Sequence, residues 1–252
     1  MIYLYDGSWD GLMCLVCRTA KDAEFPDGVL RSGDFSGRGQ GFLFETARVE
    51  TVPEIAEATA AALKRRVSGT MLSDAWFALL SDSRGIEMAL LKALAKVWAR
   101  GRRAEADLAD GHIHAVRRAA LRTGAEYNKY LGVTRFKDVG GLFYSELEPD
   151  CDVLTLLAGH FSARLPDRGW VLHDRRRGKA AVYDTRSWFV TDMNLPQPLP
   201  VTEEESAYQE LWREFYRSTT TRGRLNCKVQ RGNMPKKYWK HLVETPGEVR
   251  GR

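Results

Sequence analysis

The hydrophobic pattern changes period along the chain, and the changes mark its elements. Residues 2–6 alternate as in a short strand, after which Ser8 or Asp10 caps a helix with Leu12, Leu15 and Val16 on its buried side. Residues 25–41, rich in Gly, Asp, Ser and Arg, read as a loop before a strand near 42–50. Pro53 opens a helix whose Ala-rich run reaches Val67. Helical spacing returns near 73–81 and 84–100, stopping at Gly101, and again over 110–131, stopping at Gly132; the charged stretch 101–109 between them reads as a loop.

Beyond Gly132 the period drops to two. Val133–Asp138 and Leu142–Leu147 flank Val139-Gly140-Gly141 and predict a hairpin. Asp152 can cap a helix to Arg164, followed by strands at Trp170–Asp174, Lys179–Asp184 and Ser187–Thr191, separated by turns at Arg176-Arg177-Gly178 and Thr185-Arg186. Thr202-Glu203-Glu204-Glu205 is a capping box, and Tyr208, Leu211, Trp212, Phe215 and Tyr216 behind it form an amphipathic stripe. These elements predict an α+β fold: an antiparallel sheet, made of a hairpin and a three-strand meander, packed by helices. The expected organisation is a single domain over 1–252, with a helical sub-region at about 51–131 and a basic C-terminal segment at 217–243.

Composition narrows the class. At 252 residues and 44% hydrophobic, the chain can bury a real core, which excludes general disorder. Its apolar runs are too short to span a bilayer and its first residues lack a basic n-region, so a soluble cytoplasmic protein is expected. Cys14 and Cys17 form one CxxC, while Cys151 and Cys227 stand alone. With no second pair to complete a zinc set, the CxxC reads as two small buried hydrophobes, and the cysteines leave any cofactor unknown.

Charge supplies the strongest functional pointer. Between Glu214 and Glu244 there is no carboxylate but eight cations, so the chain's net +5 leaves −3 for the rest. Arg222, Arg224, Lys228, Arg231, Lys236, Lys237 and Lys240 are interleaved with Asn226, Gln230, Tyr238 and Trp239, which can hydrogen-bond to a nucleic acid or stack on its bases. If roughly six of the strip's cations met phosphates, duplex affinity would follow a log–log salt slope of about −5. The alternative is a solvated tail whose Tyr238 and Trp239 pack back on the core. Arg175, Arg176 and Arg177, with Lys179, form a possible second patch at a turn.

A second constellation is titratable. His173-Asp174 ends one strand, Asp184 ends the next, His160 lies on the preceding helix, and Glu146 is on the hairpin. If they converged, they could act as acid and base or hold a divalent ion, although His160 falls on an apolar stripe, where core histidines are common. His112 and His114 point apart on a helix and read as surface. The Gly-rich run 32–41 lacks the Lys-Ser/Thr of a phosphate-binding loop.

Several short blocks resemble a bacterial family of unknown function described in connection with DNA metabolism and repair. They are Tyr5-Asp6-Gly7-Ser8; Leu142-Phe143 with Glu146 and Pro149; His160-Phe161 with Arg164 and Pro166; His173-Asp174 with Arg177-Gly178; Ala181 with Tyr183-Asp184; and Asn226 followed by Val229-Gln230-Arg231 and Met234-Pro235-Lys236-Lys237-Tyr238-Trp239-Lys240. The C-terminal block is the most specific. The resemblance implies DNA as a partner and association with a radical-SAM protein, or with a uracil-DNA-glycosylase-type domain fused in some relatives. It supplies no catalytic residues. Together these features predict a nucleic-acid-binding accessory whose partner performs the reaction. A DNA-acting enzyme using the His/Asp/Glu set and a protein-interaction adaptor are the alternatives.

Overall fold

Strand β1 (Ile2–Tyr5) is the centre of a three-stranded parallel sheet, flanked by β2 (Gly28–Arg31) and β3 (Thr46–Arg48). It belongs to a computed structural model that describes residues 1–22, 24–33, 45–107, 109–195, 199–219 and 227–244. Helix α1 (Trp9–Asp22) carries the chain back so that β2 runs parallel to β1. Its start is fixed locally. Ser8 Oγ accepts from the Gly11 amide at 2.9 Å, while Asp6 takes both Ser8 donors and the Thr51 hydroxyl. A side chain at position 11 would collide with Asp6, so Gly11 is required there. The Tyr5-Asp6-Gly7-Ser8 block is thus a helix-starting device. The stretch expected as loop over 25–41 contains β2.

Residue contacts divide the chain into two compact units, Met1–Gly124 and Ala125–Arg252. In the first unit, α2 (Pro53–Arg66), α3 (Gly69–Leu79), α4 (Ile86–Arg100) and the start of α5 (Gly111–Val133) share one hydrophobic core with the small sheet. Ser68 caps α3 by accepting from Met71 N, and Glu105, in a 3-10 turn at Arg102–Ala106, holds the Ser68 amide. The core joins Leu12 and Leu15 to Leu63, Leu90, Leu94 and Ile113. Glu87 is buried beneath β1, paired with Arg31 at 2.9 Å and accepting from Tyr5 Oη at 3.3 Å.

The second unit is built on a five-stranded sheet ordered β4-β5-β6-β7-β8, comprising β4 (Lys137–Asp138), β5 (Phe143–Leu147), β6 (Trp170–Asp174), β7 (Lys179–Tyr183) and β8 (Trp188–Asp192). The hairpin β4–β5 and the meander β6–β7–β8 are antiparallel, but β5 and β6 are parallel, so the sheet is mixed and not antiparallel throughout. The reason is α6 (Leu154–Arg164), which returns the chain to the opposite end of the sheet before β6 begins. One face, with Leu147, Trp170, Leu172, Ala181 and Tyr183, packs on α6; Tyr144, Val171 and Ala180 point to the other.

After β8, Thr202 caps α7 (Glu203–Thr219) by accepting from Glu205 N at 3.1 Å. The expected stripe forms, but Tyr208, Leu211 and Phe215 are 71%, 67% and 56% exposed. Helix α8 (Cys227–Asn233) and a 3-10 helix (Lys236–His241) follow. Among the described residues, no helix is long and apolar enough to cross a membrane.

Candidate functional site

The register of the second sheet decides the fate of the titratable set. Glu146 and His173 are directly paired across β5 and β6, and Tyr144 shares their face. Tyr144 Oη lies 2.6 Å from His173 Nδ1 and 3.2 Å from Glu146 Oε1, while His173 Nε2 meets the Met193 carbonyl at 3.0 Å. Burial, followed by the neighbouring Glu146 charge, pushes the Tyr144 phenol upward, so it stays protonated. Tyr144 and His173 are buried, and this chain is a core hydrogen-bond relay.

The other three expected partners lie elsewhere. Asp174 alternates to the opposite face and has no exposed surface, accepting from the amides of Arg176 and Arg177. Asp184 lies one residue beyond the Tyr183–Trp170 pair, which is itself three pairs from the one containing His173, so the two are about 13 Å apart along the strands. It is exposed and closes the β7–β8 turn by accepting from Arg186 N and Ser187 N, contacts that hold its carboxyl below the usual range. His160 sits on α6, edge-on to Phe161. The expected His/Asp/Glu convergence is therefore corrected: only Glu146 and His173 approach, through Tyr144. Among the described residues, no group of three or more His, Cys, Asp or Glu is set to hold a metal.

The basic block is also rearranged by its surroundings. Lys237 lies 2.8 Å from Glu126 on α5 and 2.5 Å from Asp150, and Lys240 lies 2.5 Å from Glu148. Tyr238 and Trp239 are only 6% and 4% exposed, the first edge-on to Tyr130 and the second donating from Nε1 to the Met234 carbonyl. Neither ring is a platform for a base, because each is spent on the core. This corrects the expectation for Tyr238 and Trp239, and Lys237 and Lys240 are engaged by the chain's own acids. At the turn, Arg175 reaches Glu146 and Arg176 reaches Asp150, while Arg177 pairs with Asp174 and is largely buried. Arg177 is structural. Lys228, Arg231 and Lys236 remain exposed, with Gln230 half-buried on α8. Arg222, Arg224 and Asn226 lie outside the described residues.

Several of these groups titrate off their usual values. Burial alone would raise Glu126, but Lys237 and the amides of Asp150 and Cys151 overcome it and hold the carboxyl below its normal range. Burial of Glu148 is likewise outweighed by Lys240, and Asp150 is lowered first by Lys237. His241 stands 3.9 Å from Glu146 and 3.6 Å from Glu148, yet burial, aided by Lys240 and Arg175, lowers its pKa. The unfolded chain therefore takes up the His241 proton first, so this contribution to stability is complete above about pH 6.5 and declines as the pH falls. The depressed carboxyls add a second loss below about pH 4. The urea midpoint should drop between pH 7.5 and 5.5, and His241→Asn should flatten that interval. An equal drop in the variant would remove His241 from this account.

Glu126, Glu148 and His241 were not singled out by the sequence. The only hint was position: His241 directly follows Lys240, and Glu148 continues the Tyr144–Glu146 alternation.

The fold and these contacts define a mixed α+β protein whose charged cluster binds its own C-terminal segment. The model of a domain of unknown function, DUF4130, matches residues 84–244, well over half the chain, and the chain belongs to that family. The match takes in the whole second sheet and the acids and bases that close over its end. No curated protein matches the sequence.

Proposed function

We propose that this DUF4130 chain is a non-catalytic nucleic-acid-binding accessory of DNA metabolism. Its grip on the phosphate backbone is centred on α8 and the neighbouring Lys236, not on Lys237 or the buried Tyr238 and Trp239. The observation that carries this reading is the carboxylate-free stretch between Glu214 and Glu244, in which Lys228, Arg231 and Lys236 stay exposed after Lys237 and Lys240 are subtracted. Exposed cations on one short segment suit a sugar–phosphate polymer. The likeness of the sequence blocks to an uncharacterised family described in connection with DNA metabolism and repair supports the same partner, with the chemistry belonging to a radical-SAM or glycosylase-type enzyme.

The test is fluorescence anisotropy with single-stranded and duplex oligonucleotides over a salt titration. Changing Lys228, Arg231 and Lys236 together to Glu should weaken binding and reduce the magnitude of the log–log salt slope by about one per lost phosphate contact. An unchanged slope would count against the reading.

The exposed stripe of α7 favours a second reading, a protein adaptor. Tyr208, Leu211 and Phe215 form an apolar surface of the kind that partner proteins cover. Leu211→Glu with Phe215→Glu should then abolish association with a purified radical-SAM partner and leave the DNA salt slope intact. Retained association would exclude this surface.

A further inference from the structure

The first unit contains a cavity that the DNA reading does not use. Small side chains on three helices create it: Ala20 on α1, Ala58 and Ala62 on α2, and Ala95 on α4. Leu63, Leu91 and Leu94 form its apolar floor, and its volume is about 770 Å³, within the range of small-molecule sites. Along α2 it runs from Glu54 to Leu63, about 14 Å at the helical rise. Phe25, Ile55 and Trp98 are all exposed around it, an unusual grouping of large apolar side chains.

Two polar features accompany this slot. Thr19 stands in its wall, only 8% exposed, and its hydroxyl has no hydrogen-bond partner among the described residues. A buried hydroxyl in that state is costly unless something else satisfies it. A second hollow of about 580 Å³ shares Cys17, Lys21 and Ile55 with the slot and places Arg18, Lys21 and Arg48 against a single carboxylate, Glu50. Lys21 and Arg48 have no ion-pair partner among the described residues. Glu24 and Glu54 line the slot itself and disfavour an anion deep inside it.

We propose that this slot binds a linear amphipathic monoanion of the medium-chain fatty acid class. The acyl tail lies between α1, α2 and α4. The carboxylate sits at the junction of the two hollows, countered by Lys21 and Arg48, with the Thr19 hydroxyl donating to one of its oxygens. The alanine-lined walls set the tail's width, and the cation excess in the second hollow selects an acid over an alcohol.

Isothermal calorimetry of the full chain with octanoate, decanoate and decanol tests this. Affinity should rise roughly fourfold per added methylene, about fifteenfold from octanoate to decanoate. Lys21→Ser with Arg48→Ser, both at the surface, should weaken decanoate at least severalfold and leave decanol unchanged; Thr19→Val should weaken decanoate severalfold. The proposal is overturned if decanoate gives no binding heat, if chain length has no effect, or if decanol matches decanoate in the unaltered protein.

Discussion

Replacing Arg177 with Met should destabilise the second unit by about 3–5 kcal/mol, the range for breaking a buried ion pair from one side. Arg177 Nη1 lies 2.9 Å from Asp174 and also donates to the Pro149 carbonyl at 3.0 Å, while Nη2 donates to the Asp150 carbonyl at 2.9 Å. Without the guanidinium, a carboxylate with no exposed surface loses its countercharge, and two carbonyls lose donors. The turn is held from below as well: Gly178 has φ +63, and a Cβ there would meet Asn194 Oδ1 at 2.7 Å. Asp174→Asn keeps an acceptor for the Arg176 and Arg177 amides and should cost less, about 2 kcal/mol. Urea unfolding followed by circular dichroism reads both. A change below about 1 kcal/mol for Arg177→Met would mean that the pair contributes no more than a surface contact.

Tyr238→Ala should cost about 3–4 kcal/mol, the usual range for truncating a buried aromatic. The ring packs with Tyr130 at 5.2 Å and 78°, in the same core as Leu147, Leu154 and Trp170, and Lys237 Nζ lies 4.9 Å from its centroid. Its loss removes the anchor that positions Lys237 and Lys240 against their acids, so trypsin should cleave the variant faster at those lysines. Tyr238→Phe keeps the volume and should change stability by less than about 1 kcal/mol. If Tyr238→Ala left both stability and cleavage untouched, the segment could not be part of the core.

Much of the element order could be read from local chemistry. Pro53, Ser8 and Thr202 start helices because capping depends on neighbours within a few residues, and the β6–β7–β8 meander follows from its short turns. Strand direction was harder. The helix between β5 and β6 already implied a crossover, but the period-two pattern on both sides suggested an uninterrupted antiparallel sheet. β2 was hidden in a Gly- and Asp-rich stretch because it has only four residues and one buried side chain, Val29. For the site, charge was legible and its partners were not. Lys237 pairs with Glu126 from 111 positions away, a separation over which one sequence carries no pairing signal. The blocks that carry the family resemblance contain much structural machinery: an Asp6–Ser8 helix start, an Asp174–Arg177 turn, and a Tyr238–Trp239 anchor.

The tie between Lys237 and Glu126 also sets a timetable for synthesis. Helix α5 and strand β5 leave the ribosome long before the segment that neutralises them, so until Lys237 and Lys240 emerge, the nascent second unit carries Glu126, Glu148 and Asp150 without those countercharges. A chain released before that point would have a complete set of strands and an unsealed end, a form predisposed to degradation or capture by chaperones.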